Sequence, residues 1–370
     1  MTPSLTAIRR DLIVAFGAAF GLTFTVGWQI IEKVEFFKVA KMSNYGLSGL
    51  ASLVMCSILA GVSFTIMQAR GKETGITICV FDKVLPYLPL YLAIEAGFFK
   101  KRRIKVTIVV AYGDKKSWKM VSEERADFGL SDPVVSLYED ERQKNDGRLV
   151  ATLVNKSTMC GITRKRLPYY HDIVSIARGL SFSGYEEPST TNRALLKLKK
   201  ERGAKIKTYK PGQEESAAKD PSTDIVILTE PFATDWVDKN EGYHRVLDGA
   251  QLFGEIAWSG LYCTQTYIQN NPKIIQGVID SLQEALDCIH DDHIRTLSYA
   301  IKIYREFNKT AVSSAVISMI RQNIFPDNLL TTKLEWSQAL DMWELKGDDL
   351  LFDRFVNNDF AGRSVKHRRR

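Results

Sequence analysis

The chain has 370 residues, enough for one large two-lobed unit or two ordinary domains with a small accessory segment. Its apolar fraction of 45% and charged fraction of 25% are those of a folded globular protein and exclude a disordered chain. The formal net charge of +7 is spread in short clusters at residues 100–103, 197–200 and 366–370, and no recognition motif accompanies it, so nucleic acid is not an expected partner. The five cysteines, Cys56, Cys79, Cys160, Cys263 and Cys288, form no CxxC or zinc-ligand spacing. Each sits in an apolar or amphipathic segment, where a buried free thiol is the expectation.

Two uncharged apolar runs open the chain, at residues 12–31 and about 47–68. Each has the roughly 20 residues that cross a hydrocarbon core. Gly17 and Gly21 form a GxxxG pattern, Ser and Gly recur in the second run, and Trp28 lies near an interface position. Residues 1–73 therefore predict a hairpin of two transmembrane helices, with the lipid bilayer as a partner and a multi-pass inner (cell) membrane location. Flanking basic residues, Arg9, Arg10, Arg70 and Lys72 against Lys33, Lys38 and Lys41, barely favour either sidedness.

From residue 74 the pattern changes to alternating strands and helices. Strands are predicted at 76–81, 104–110, 127–130, 149–154 and 159–163, with helices at 88–99 and 114–125 between them. Asp132 is placed to cap a helix after the third strand. A second unit comes next, with a helix at 190–202 and strands at 206–209 and 224–228. Long helices are predicted at 272–290, 294–307, 311–323 and 331–346. Strand–helix alternation implies right-handed βαβ units and mainly parallel sheets. The expected division is residues 74–163 as the first part of one lobe, 164–242 as the second lobe, 243–355 as the return to the first lobe with C-terminal helices, and 356–370 as a basic tail.

Several segments then resemble a known family. Pro86-Tyr87 after the first strand, Tyr91-Leu92-Ala93-Ile94-Glu95-Ala96-Gly97-Phe98-Phe99, Ala126-Asp127-Phe128-Gly129, Glu230-Pro231-Phe232 and Asn271-Pro272 occur in this order. Together they resemble the periplasmic solute-binding proteins of ABC importers for alkanesulfonates, taurine, nitrate or the thiamine pyrimidine precursor. The resemblance implies an α/β, two-lobed type II periplasmic-binding-protein-like fold, here preceded by the two membrane helices. It also implies a cleft contacted by Asp82, Pro86 and Tyr87 in a first loop, Ser131 and Asp132 in a second, Thr190 and Thr191 in a third, and Glu230 in a fourth, with Trp258 after the return strand.

The chain departs from that family in its hairpin, in the charged pair Asp82-Lys83, and in a degraded stretch at 217–224. Fungal relatives of the fold that build the thiamine pyrimidine carry a tight cysteine cluster, which is absent here. No P-loop, GxGxxG, GxSxG or HExxH is present, so no enzyme activity, cofactor or metal is expected. His290 and His293 flank Asp291 and Asp292, which reads as a charged helix end before it reads as a metal site. The expected function is capture of a small polar or anionic solute by a membrane-anchored receptor with an extracytoplasmic binding domain, an ABC permease being a possible partner. The alternative is a structural or regulatory subunit that forms a homo-oligomer through its hairpin and keeps the fold as a sensor or scaffold.

Overall fold

A computed structural model describes residues 73–134, 146–167, 177–345 and 349–368. The predicted hairpin at 12–31 and 47–68 lies outside the described residues. Among the described residues, no helix is long and apolar enough to cross a membrane.

The chain enters a first sheet with β1 (Thr74–Val80), whose last three residues are all buried. A 3-10 turn at Leu85–Tyr87 leads directly into α1 (Leu88–Glu95). The helix expected at 88–99 is broken by Gly97, whose φ of 76° lies in the left-handed region where a residue without Cβ costs least. The break turns Phe98 and Phe99 inward, and both are buried. Next come β2 (Ile104–Val110), α2 (Asp114–Ser122), β3 (Phe128–Ser131) and the long β4 (Gly147–Lys156). β2 and β3 both pair with β1 in parallel.

The chain then crosses to a second sheet. It contributes β5 (Cys160–Thr163), β6 (Ser181–Tyr185), α3 (Thr190–Arg202), β7 (Lys205–Tyr209), β8 (Ile225–Leu228), α4 (Phe232–Lys239) and β9 (His244–Asp248). A second crossing leads to β10 (Glu255–Thr264), which returns to the first sheet. The strand orders are β2-β1-β3-β10-β4 and β7-β6-β8-β5-β9. They are the same design: each sheet has one antiparallel strand in fourth place, delivered by a crossing from the other lobe.

This arrangement corrects two boundaries expected from the sequence. β5, expected in the first lobe, pairs with β8 and β9 in the second sheet. β9, expected at the start of the return, is still part of that second sheet. Strand partners are non-local, so a short apolar run carries no signal of which sheet will receive it. The crossings touch each other at Gly249, whose amide donates to the Met159 carbonyl at 2.7 Å. A Cβ on Gly249 would stand 2.3 Å from Ser157 Oγ and 2.8 Å from Met159 Cβ, so only glycine permits this approach.

The C-terminal helices close the first lobe. α5 (Pro272–Asp291) and α6 (His293–Ile303) pack on α1, α7 (Lys309–Arg321) packs on α6, and α8 (Lys333–Met342) lies on β10. α8 opens with a capping box in which the Thr332 and Glu335 side chains exchange hydrogen bonds with each other's backbone amides. Residues 356–370, expected to be a basic tail, instead include α9 (Asp359–Arg368). Phe360 and Ala361 are buried there, and Gln276 Nε2 donates to the Phe360 carbonyl at 3.1 Å. The terminal charges obscured this short apolar face. Cys79, Cys160, Cys263 and Cys288 are all buried and free.

Candidate functional site

In each sheet the parallel strands run toward the opposite lobe, so their C-terminal ends and the loops after them face one another. A narrow cleft, partly open to solvent, lies between them, with room for about 50 Å³.

From the first lobe, the loop after β1 supplies Phe81, Val84, Pro86 and Tyr87. This loop is tied down from several sides. Tyr304 Oη donates to the Val84 carbonyl at 2.7 Å, and Lys83 Nζ reaches the Ile303 carbonyl at 2.8 Å and Glu306 at 2.7 Å. The Leu85 amide donates at 2.9 Å to the carbonyl of Glu230 in the other lobe. Tyr87 is buried beside Ser259 of β10; burial, with Asp114 nearby, holds its hydroxyl well above the ordinary tyrosine range. Trp258 and Ser259 complete this wall.

The floor is a pair of carboxylates. Asp132 comes just after β3, and Asp114 opens α2; both line the cleft and both are buried. The Asp132 amide donates to Asp114 Oδ1 at 3.1 Å. Burial, then repulsion from Asp132, pushes the Asp114 carboxyl up to about 8. The shift favours the neutral form of Asp114 beside Asp132. Asp132 Oδ1 accepts from the Val134 amide at 2.8 Å; beyond Val134, the helix it was expected to cap lies outside the described residues. Its Oδ2 accepts from Thr190 Oγ1 of the second lobe and from Trp343 Nε1 at 2.8 Å.

The second lobe presents the N-terminus of α3. Ser189 is the N-cap, accepting from the Asn192 amide at 3.1 Å, and Ser189, Thr190 and Thr191 all line the cleft. Thr190 and Thr191 stand in the first turn, where amides have no intrahelical acceptor. Tyr185 and Thr229 add the remaining wall, with Thr158 from the first crossing. Tyr185 Oη donates to Glu214 Oε1 at 3.0 Å and meets Thr229 Oγ1 at 3.1 Å. Its ring meets Phe81 edge-on across the cleft, with centroids 5.6 Å apart.

The structure thus brings six of the nine expected residues to one cleft: Pro86, Tyr87, Asp132, Thr190, Thr191 and Trp258. Three stand elsewhere. Ser131 lies behind the wall in a buried chain: its Oγ pairs with Tyr262 Oη at 2.7 Å, Tyr262 reaches Ser117 at 3.0 Å, and Ser117 donates to the Cys79 carbonyl at 3.2 Å. Asp82 is half-buried beside the cleft and accepts from the Lys83 amide at 2.6 Å; burial raises its carboxyl. Glu230 faces away, into a neighbouring crevice, where it pairs with Arg245 and accepts from the Thr234 amide at 3.1 Å. Its carboxylate is spent on holding the first turn of α4.

The sequence does not single out Asp114 or Tyr185. Asp114 looks like an ordinary acid in a first helical turn, and Tyr185 like a strand residue. Gly129, the last residue of the Ala126–Gly129 motif, admits the Tyr262 ring, which a Cβ would approach to 2.2 Å. Among the described residues, no Lys, Arg or His lines the cleft and no group of three acidic, Cys or His side chains is placed to hold a metal. His290 Nε2 contacts the Pro326 carbonyl at 3.2 Å, and His293 is exposed.

Two α/β lobes joined by two crossings, with strand ends facing across a polar cleft, define the periplasmic-binding-protein-like fold. The alkanesulfonate-binding protein SsuA from Xanthomonas axonopodis pv. citri, bound to MOPS, shares it with a TM-score of 0.59 at 13% identity, over 80% of this chain and 98% of that one. The ligand-binding component of an ABC-type import system from Staphylococcus aureus, with zinc bound, gives a TM-score of 0.62 at 12% identity, over 79% and 99%. The family model described as NMT1/THI5 like matches residues 86–293, more than half of the chain, and the chain belongs to that family. YtlA of Bacillus subtilis (strain 168), named as a candidate binding protein, is 21% identical over 331 residues, covering 85% of this chain and 96% of its own. These relatives are described as binding proteins rather than enzymes.

Proposed function

We propose that the protein is a membrane-anchored solute-binding protein that closes its two lobes on one small polar molecule. The single observation that carries this reading is the convergence on one cleft of Tyr87, Trp258, the Asp114–Asp132 pair and the opening turn of α3. Aromatic walls supply contact area at low entropic cost, and the polar groups orient the ligand.

Of polar and anionic ligands, the lining favours a polar one that donates hydrogen bonds. Two carboxyl groups, one of them favoured neutral by burial, offer acceptors and one donor. A sulfonate would meet them unfavourably, since the α3 amides would be its main counterweight. A ligand carrying an amino group would replace the Thr190 hydroxyl on Asp132 and gain a charge-assisted bond. Thermal unfolding against a panel of small amines, amides, alkanesulfonates and nitrate tests this. A ligand at 100 times its Kd raises stability by about 2.7 kcal/mol. The reading expects stabilisation by amino-bearing solutes; stabilisation by alkanesulfonates or nitrate alone would contradict the ligand class.

The anchor is the pair of uncharged runs at 12–31 and 47–68, each of spanning length. An extracytoplasmic domain working with an ABC permease suits a tethered receptor, because solute must be captured before transport. A cysteine placed at exposed Lys366, labelled in intact cells by a membrane-impermeant thiol reagent, reads the sidedness. Labelling only after lysis would contradict the extracytoplasmic placement and favour an internal sensor or scaffold.

A further inference from the structure

The turn that ends α8 reaches both sides of the cleft. α8 is rooted on the first lobe: it packs on β10, and Trp336 is fully buried there. Its last turn extends over α3 of the second lobe. Three contacts come from two adjacent residues. Trp343 Nε1 donates to Asp132 Oδ2 at 2.8 Å, in the cleft floor. The Trp343 ring lies 4.9 Å from the guanidinium carbon of Arg193 on α3. Glu344 pairs with Lys200, also on α3, at 2.7 Å. Glu344 adopts φ 56°, the left-handed conformation that ends a helix and redirects the chain.

The three contacts differ in weight. The Lys200–Glu344 pair is exposed and screened, so it steers more than it holds. The indole bond is buried, charge-assisted and shares its acceptor with Thr190 of the second lobe. The ring–guanidinium contact is also largely desolvated, because Trp343 is 4% exposed. One side chain therefore fixes the orientation of the cleft carboxylate and grips the opposite lobe.

We propose that the Trp343–Glu344 turn is a clasp that holds the lobes closed and sets Asp132 to receive ligand. The clasp goes beyond the solute-binding reading and is testable without any ligand. Spin labels at exposed positions, introduced as Lys116→Cys on α2 and Lys197→Cys on α3 in a Cys56→Ser background of the full-length protein in detergent, report the distance between the lobes. The ligand-free protein is expected to show a narrow, short interspin distance. Trp343→Phe, which keeps a smaller aromatic ring near Arg193 and loses the N–H, is expected to broaden that distribution toward longer distances. Trp343→Ala is expected to shift it further, and far-UV circular dichroism checks that both fold. An unchanged distribution in Trp343→Phe, or a fall in melting temperature without a distance change in either variant, would overturn the clasp and leave Trp343 a packing residue. A wide distribution already present in the unsubstituted protein would overturn it equally.

Discussion

Asp114 is a cleft residue whose chemistry is displaced far from its ordinary behaviour. Its carboxyl is held neutral to about pH 8 by burial and by Asp132, whereas in the unfolded chain it ionises near 3.8. The folded state therefore binds the extra proton between these values. That contribution to stability is fully present below about pH 4 and is lost as pH rises toward 8. Asp114→Asn keeps the shape and the neutral form. It should flatten the decline of melting temperature between pH 4 and 8 and raise the value at pH 8. A variant whose profile tracks the parent would show that Asp114 is already ionised in the folded protein. At Gly129, an alanine would press on the Tyr262 ring and the Ser131–Tyr262–Ser117 chain behind the cleft wall. Gly129→Ala should cost about 1–3 kcal/mol in chemical denaturation; a neutral result would mean that the ring has room to retreat.

At the scale of elements, the strands and helices with local signals were legible: the apolar run of β1 and the helix opening at residue 190. The candidate cleft residues came from the family resemblance, and six of the nine stand on one cleft. What depended on distant partners was not legible. The sheet that receives β5 is decided by pairing with β8 and β9. The bond from Trp343 to Asp132 spans 211 residues. Glu230 had the right loop position but a nearer partner in Arg245, which turned it from the cleft. The crossings offer an element-level test at Gly249. Gly249→Ala must move Ser157 or Met159. It is expected to lower stability by about 1–3 kcal/mol. Because it sits where the chain passes between lobes, it should also widen the interlobe distance seen by the Lys116–Lys197 labels. Lost stability with an unaltered distance would confine its role to packing.

For the whole molecule, the basic clusters around Lys100–Lys101 and Lys199–Arg202 stand in the last turns of helices, while the acidic pair that shapes the cleft is invisible in a net count. Residues 73–369 form one compact unit. A chain beginning at Glu73 should consequently be released from membranes by alkaline wash and give the circular dichroism of a folded α/β protein. Retention of that truncated chain in the membrane pellet would contradict the anchor assignment. The central claim is that the cleft between the lobes holds a small molecule. Native mass spectrometry of the full-length protein, purified in detergent from its own cells, tests it most directly. The account predicts a discrete small-molecule mass on the folded protein that is lost in Trp258→Ala while the circular dichroism is retained. A folded protein with no such mass, or one that keeps it in Trp258→Ala, would contradict binding in this cleft.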